Sequence, residues 1–372
     1  MKFTVQQSIF LKALNHCASI AERRTTVPIL SHVVLDASQD GQLKLMATDL
    51  ELSVIESVPV QTAVTGVTTV SVHLIREIVR KFSDKTEIDL YLDSASQQLF
   101  IENASARFQL ATLPVEDYPS LQNTEFTSTF SIGKKVLLDL MDGTGFAMST
   151  EETRYYLNGI YFHATSENSL RAVATDGHRM AWVQTILPQG AANIPGIIIS
   201  RKTVNQVTSM LEGLKDEEEV EISLSETLVQ FKCHNFVLIS RLVDGTFPDY
   251  ERVIPSDNTK SMLVAMPEFY SAVDRVSTVA TDKNKWVKLW LDAGKLRLTV
   301  DGNELGSAHE EMPVDYQSEP LSIGFNARYL LDVANRMQEK EAEILFSDEA
   351  TPIIIREFQN PNALYVVMPM RV

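Results

Sequence analysis

A pattern of strands and amphipathic helices runs through this chain of 372 residues three times, and it constrains the fold more than any other feature. The first pass opens with MKFTVQQSIFLKALNHCASIAER, a short strand at Lys2–Val5 and then a helix with Phe10, Leu11, Leu14, Cys17 and Ala18 on one face. VPILSHVVLDASQDGQLKLMATDLELSVIESVPV follows as three strands punctuated by turns, one of them at Asp40-Gly41. VTTVSVHLIREIVRKF repeats the switch from strand to helix, and TEIDLYLD, QLFIENA and ARFQLATLP read as three more strands before Asp117-Tyr118-Pro119. The second pass begins at TSTFSIGKKVLLDLM and closes on FPDY; the third begins at SMLVAMPEFYSAVDRVSTVA and ends on ALYVVMPMRV. Ala-Thr-Asp falls at equivalent points, 47–49 and 174–176, in the first two passes. A repeat this long is not a solenoid unit. Each third is two strand–helix–three-strand halves, whose helices and sheets bury each other in one core. The expectation is an α+β chain with six helices and three domains, 1–127, 128–255 and 256–372, divided where turn formers and polar residues cluster.

The sequence excludes several classes. No apolar run approaches membrane-spanning length. The start has polar residues throughout and no small-residue cleavage site, unlike a signal peptide. Cys17 and Cys233 are the only cysteines, which fits a reducing cytoplasm better than a disulfide scaffold. The formal charge of −16 taken alone speaks against nucleic acid. Its distribution says otherwise. Strand segments hold much of the acid, among them Glu87, Asp89, Glu219, Glu221, Glu341 and Glu343. Helix segments and their flanks hold Lys12, Arg23, Arg24, Arg76, Arg80, Lys81, Lys134, Lys135, Arg201, Lys202, Arg275, Arg328 and Arg336. Runs of this kind are usually solvated faces; the alternative is that basic faces shared by the helices of every repeat would form a positive lining within an acidic protein.

Chemistry-bearing signatures are absent: no G-x-G-x-x-G after a strand, no Walker loop, no H-E-x-x-H, no C-x-x-C and no G-x-S-x-G. The densest cluster is 154–180, RYYLNGIYFHATSENSLRAVATDGHRM, in which a strand with Leu157, Ile160 and Phe162 and a second strand LRAVATD flank a polar turn at Ser166–Ser169. Asp176-Gly177-His178 at its end admits an acid–base pair, part of a metal site, or a turn. A metal needs further ligands, and the other histidines (16, 32, 73, 163, 234, 309) lie singly in different elements. Asp49 and Asp301 recur at like positions, which favours an aspartate capping a turn. The last eight residues, YVVMPMRV, are mostly apolar; alternate ones suit a core strand, and the others, with Pro369 and two methionines, a soft surface that can re-pack around a ligand.

The repeat, taken with TVPILSHVVL, ATDLE, RYYLNG, ATDGHRMA, FPDYERVIP, IGFNARYLLDV and YVVMPMR, resembles the bacterial β sliding clamp, the processivity subunit of the replicative DNA polymerase III, over the whole chain. The resemblance implies a DNA-clamp fold, a non-catalytic head-to-tail dimeric ring with helices lining the hole and sheets outside, and no cofactor or metal. It implies as partners encircled duplex DNA, an ATP-dependent clamp loader, the polymerase III alpha subunit, and other polymerases and repair proteins carrying a Gln-Leu-x-Leu-Phe-like motif. Residue by residue, it implies DNA contacts at Arg24, His73, Arg154, Tyr155, Tyr156, Arg201 and Lys202. It implies a peptide pocket of Leu157, Thr175, Gly177, His178, Arg179, Met180, Pro248, Arg252, Val253, Asn326, Tyr329, Val366, Met368, Pro369, Met370 and Arg371. Phe108, Thr278 and Val279 match the dimer interface. The chain departs from relatives at His73, where they often carry a stronger base, at Glu151, at Asn284 on the pocket rim, and at Pro352. Two other readings stand beside this one, an enzyme using Asp176 and His178, and a protein scaffold without DNA.

Overall fold

The structure is a computed structural model that describes residues 1–103, 106–119, 125–280, 286–302, 306–337, 340–358 and 360–371. Asn284 lies outside the described residues. Among them are six α-helices: α1 Gln7–Ile20, α2 Val72–Val79, α3 Lys134–Gly145, α4 Arg201–Leu211, α5 Met266–Ser277 and α6 Ala327–Ala334. Each follows directly on a strand, as the switch from two-residue to helical periodicity predicts. None of the described helices is long and apolar enough to cross a membrane.

The chain forms two compact units, residues 1–134 with 205–242, and residues 135–204 with 243–372. The central third is therefore divided between them. In the first unit an antiparallel sheet of eight strands runs in the order Ser128–Gly133, Glu219–Leu224, Leu228–Cys233, Phe236–Arg241, Leu52–Pro59, Gln42–Thr48, His32–Asp36, Val67–Ser71. Its seam is Phe236–Arg241 against Leu52–Pro59, where Leu238 faces Val54 and Phe236 faces Glu56. A second sheet of five strands holds Lys2–Gln6 near one side and Ala106–Ala111 at an edge. α1 and α2 pack together in this unit, burying Phe10, Leu14, Cys17, Ile75 and Val79.

The second unit repeats the plan. Nine strands run Ile197–Ser200, Gly159–Ala164, Ser169–Thr175, Arg179–Ile186, Ala363–Val367, Ile353–Glu357, Glu341–Phe346, Lys260–Ala265, Asp315–Tyr316. The seam here is Arg179–Ile186 against Ala363–Val367, with Met180 facing Val366. A sheet of four strands ends at the edge strand Gly306–Pro313, and α5 and α6 pack together through Phe269, Val273, Leu330 and Val333. Antiparallel strands alternate inward and outward residues, so an unbroken ladder joins the last strand of one repeat to a strand in the first half of another and buries a row of side chains from both.

The hairpin expected at 154–180 is present, with one difference. Leu157, expected in the first strand, ends a 3-10 turn, Glu152–Leu157, and the strand starts at Gly159. The terminal strand stops at Val367, after which Met370 makes a single bridge to Gly324.

Candidate functional site

The turn after Ser169–Thr175 carries the first candidate residues. Thr175 Oγ1 donates to the Arg179 carbonyl (2.7 Å) and accepts from the Gly177 N–H (3.1 Å). Asp176 Oδ1 accepts from the N–H groups of His178 (2.9 Å) and Arg179 (3.0 Å). The first repeat has the same construction: Thr48 Oγ1 donates to Leu52 O at 2.8 Å, and Asp49 Oδ1 accepts from Glu51 at 3.0 Å and Leu52 at 2.7 Å. The aspartate is a backbone cap in both. Asp301 sits in the strand Lys295–Gly302, whose following residues 303–305 lie outside the described ones. With one oxygen of Asp176 capping and the other 3.1 Å from Arg179 Nε, the carboxylate is committed to structure. His178 stacks on Tyr329, centroids 6.4 Å apart. Among the described residues no three His, Cys, Asp or Glu are grouped to hold a metal.

Gly177 takes φ +86°, and a Cβ there would stand 2.9 Å from Arg154 Nη1. The equivalent residue of the first repeat, Leu50, bears a side chain at φ 79°. The turn thus tolerates a left-handed residue at a cost, and the arginine end can swing aside. Gly177→Ala is expected to cost about 1 kcal/mol, and so to lower the melting midpoint by about 2–4 °C. A variant that melts at or above the parent temperature would contradict that reading of the turn.

Arg179 is the most heavily bonded side chain of the site. Its guanidinium pairs with Asp176 and with Asp332 of α6, and donates to the Phe146 carbonyl at 2.7 Å. It also lies 4.6 Å over the Tyr329 ring and 5.1 Å over Phe146. The turn, α6 and the end of α3 are held by one guanidinium fork.

On the other side of the strands lies an apolar cluster of Leu157, Val173, Met180, Trp182, Ile198, Phe247, Tyr250 and Val366. The period of two explains the membership: Val173 pairs with Trp182, Met180 with Val366, and each pair shares a face. Tyr156, Tyr161, Val243, Ile254 and Leu364 pack around it. The expected pocket residues divide accordingly. Leu157, Met180 and Val366 are buried in the cluster. Thr175, Arg179, Tyr329 and Pro369 are half-buried, and Gly177, His178, Pro248, Arg252 and Arg371 are exposed. Val253 at 54 % and Met368 and Met370 at 42 % each leave apolar side chains in solvent. The tail is tied down by its backbone, Met368 N–H to His178 O at 2.9 Å and Met370 N–H to Gly324 O at 2.8 Å. Asn326 caps α6, its side chain accepting from Arg328 N–H at 3.0 Å. Arg252 pairs with Asp249 at 2.7 Å. Pro352 offers its carbonyl to Asn258 at 2.9 Å.

The expected DNA contacts are less uniform. Arg24 is exposed in the loop after α1. His73 is turned to structure: its Nε2 bonds the Ala21 carbonyl at 3.1 Å at the end of α1, and burial, with Arg23 and Arg76 nearby, holds its pKa below the usual histidine range. It shapes the loop that presents Arg24. Arg154 pairs with Glu151 at 3.1 Å, and Tyr155 is exposed and edge-on to Tyr156. Arg201 donates to the carbonyls of Met148 (2.8 Å) and Ser149 (3.0 Å), and burial, then Arg179, lowers its pKa. Lys202 beside it is exposed. Phe108 lies in the edge strand Ala106–Ala111 with its ring 6.0 Å from Phe82. Thr278 is exposed just after α5, and Val279 is half-buried. Sequence reasoning missed Trp182, Phe247, Tyr250 and Asp332. The alternation of Val173, Met180 and Trp182 along LRAVATDGHRMAW would have found the first; Asp332 has no local signal.

Fold and site together define a repeat-built α+β binding protein. Three family models cover nearly all of the chain: the N-terminal, central and C-terminal domains of the DNA polymerase III beta subunit, at residues 1–122, 131–249 and 251–371. The β sliding clamp of Caulobacter vibrioides is 42% identical over the full length of both chains, and that of Pseudomonas putida 35%. Among solved structures, a Bartonella birtlesii sliding clamp bound to griselimycin is 45% identical with a TM-score of 0.95, covering all of both chains. A C. crescentus clamp with PEG bound to its putative beta-motif tethering region is 42% identical with a TM-score of 0.97, covering all of this chain and 99% of that one. The chain belongs to the family of β sliding clamps, the processivity subunits of DNA polymerase III.

Proposed function

We propose that two copies of this chain close head to tail into a ring around duplex DNA in the bacterial cytoplasm, opened and closed by an ATP-dependent clamp loader. The domains are those of 1–127, 128–255 and 256–372, and the ring does no chemistry. The open sheet edges Ala106–Ala111 and Gly306–Pro313 support the dimer, since each offers an unpaired ladder of backbone donors and acceptors. Phe108 on the first, and Thr278 and Val279 beside the second's sheet, supply apolar contact. Phosphate contacts come from Arg24, Lys202, Arg154 and Tyr155, with His73, Arg201 and Tyr156 shaping the segments that carry them. Arg76 and Arg80 lie within 3.6 Å of Glu77, and Lys134 within 3.1 Å of Asp216. Partial neutralisation of this kind keeps phosphate contacts weak and blind to sequence, as sliding demands.

The observation that carries the partner reading is the apolar cluster that includes Leu157, Met180 and Val366, together with the exposed apolar side chains of Val253, next in the chain to Ile254 which packs on that cluster, and of Met368 and Met370, which follow Val366 in the tail. Exposed apolar side chains beside a buried cluster suit an amphipathic segment with aliphatic and aromatic anchors. The polymerase III alpha subunit, the clamp loader, and other polymerases and repair proteins would dock there through a Gln-Leu-x-Leu-Phe-like motif. The encirclement is tested by loading the protein with a clamp loader on circular DNA and then linearising it. Retention on the circle and loss from the linear form is the expected result; equal loss from both sinks the ring.

A further inference from the structure

Residues 244–253, which bring Pro248, Arg252 and Val253 to the pocket, follow a backbone bond from Val243 N–H to Ile198 O at 3.0 Å. Among the described residues no backbone hydrogen bond joins 244–253 themselves to the sheet. Side chains seat this segment instead. Phe247 stacks on Tyr161, centroids 4.9 Å apart and nearly parallel. Tyr161 in turn stacks on His163 at 4.8 Å. The Tyr250 hydroxyl, buried, lies 3.0 Å from His163 Nε2 and 3.0 Å from Arg171 Nη1. Arg171 is itself fixed by Gln184 Oε1, at 3.0 Å from Nε and 2.7 Å from Nη2, and lies 4.5 Å over Trp182.

The chain of donors has one self-consistent direction. Arg171 can only donate, so the hydroxyl accepts from it. His163 Nδ1 faces the Ala164 carbonyl at 3.1 Å and so carries the proton. Nε2 is then the acceptor for the Tyr250 O–H. A second proton on His163 would turn Nε2 into a donor, leave the hydroxyl hydrogen without an acceptor, and set two cations on either side of one buried oxygen.

We propose that Arg171, Tyr250 and neutral His163 form a latch that positions the 247–253 segment, and that protonating His163 releases it and weakens partner binding. These are positioning residues, and the proposal rests on the pocket reading above. The charged and titratable groups facing the latch are Arg171, Tyr161, Tyr250, Glu251 (3.5 Å from Arg171) and Glu167 (3.7 Å). Burial first, and Arg171 as a further cause, hold His163 below its ordinary 6.5, against the opposing pull of Ala164 and Glu251. For a base lowered on folding, the favourable contribution is complete above about 6.5 and is lost as pH falls through the lowered value.

The test measures binding of a fluorescent Gln-Leu-Ser-Leu-Phe peptide by anisotropy at about pH 8 and about pH 5.5. The parent protein should bind about tenfold more weakly at the lower pH, the scale of one lost buried hydrogen bond. His163→Gln, whose amide oxygen can still accept from Tyr250, should bind as the parent does at high pH and lose the pH dependence. Tyr250→Phe should be weak at both pH values, while its thermal midpoint reports folding. Pocket and latch fail differently. No binding by the parent at high pH overturns the pocket. Binding that ignores pH in the parent, or a pH dependence that survives in His163→Gln, overturns the latch.

Discussion

A chain ending at Val367 is expected to lose binding of a Gln-Leu-x-Leu-Phe peptide by at least about 100-fold, as removal of several clustered anchors does, with no change in oligomeric state. Residues 368–371 leave the sheet at Val367 and return beside the turn at His178 through one backbone bond, then to Gly324 through another. Between those ties Met368 and Met370 hold apolar side chains in solvent, which a folded chain does at a cost it recovers when a partner covers them. Methionine suits this place because its three flexible bonds let it re-pack around different partners. The open strand edges at Ala106–Ala111 and Gly306–Pro313 involve none of these residues, so sedimentation should show no change in oligomeric state. Calorimetric titration of the peptide into truncated and full chains decides it, and equal affinities would remove the tail from the pocket.

Arg179→Ala should be the most damaging single change at the site. The side chain is about 10% exposed, and its removal takes the partner from Asp176 Oδ2 and the Phe146 carbonyl and leaves Asp332 only Arg328, 3.9 Å away. Breaking one side of such a buried arrangement costs about 3–5 kcal/mol, or a fall of about 6–20 °C in melting midpoint for a unit of this size. Arg179→Lys should recover only part of the loss, because a point charge cannot reach two carboxylates and a carbonyl while lying flat on Tyr329 and Phe146. Melting followed by circular dichroism, with both variants beside the parent, is the measurement. A midpoint for Arg179→Ala within about 2 °C of the parent would show that the aspartates rehydrate freely.

The turn at Thr175-Asp176 shows how far local signals reach. Ala-Thr-Asp at 47–49 and 174–176 implied one backbone-capping construction, and the same hydrogen bonds occur in both places. That settled the role of the aspartate, since an oxygen already accepting two N–H groups is a poor general base. Candidate DNA contacts were harder to read. Arg201 and His73 resemble phosphate contacts by type and position, yet one donates to the carbonyls at 148–149 and the other bonds the end of α1. Residue type specifies what a side chain can donate, while its partner depends on which carbonyls the fold leaves without a mate.

By itself the sequence determined the threefold repeat, the six helices following strands, the turn chemistry at Asp49 and Asp176, and the apolar tail, because periodicity and capping act over a few residues. Only the tertiary structure decided that the sheets close across repeats, with Phe236–Arg241 laid on Leu52–Pro59 and Arg179–Ile186 on Ala363–Val367. Open antiparallel edges of matched alternation pair wherever the chain brings them together, and no local pattern says with which partner. That pairing sets Met180 opposite Val366, and so brings two members of the apolar cluster together from half a chain apart.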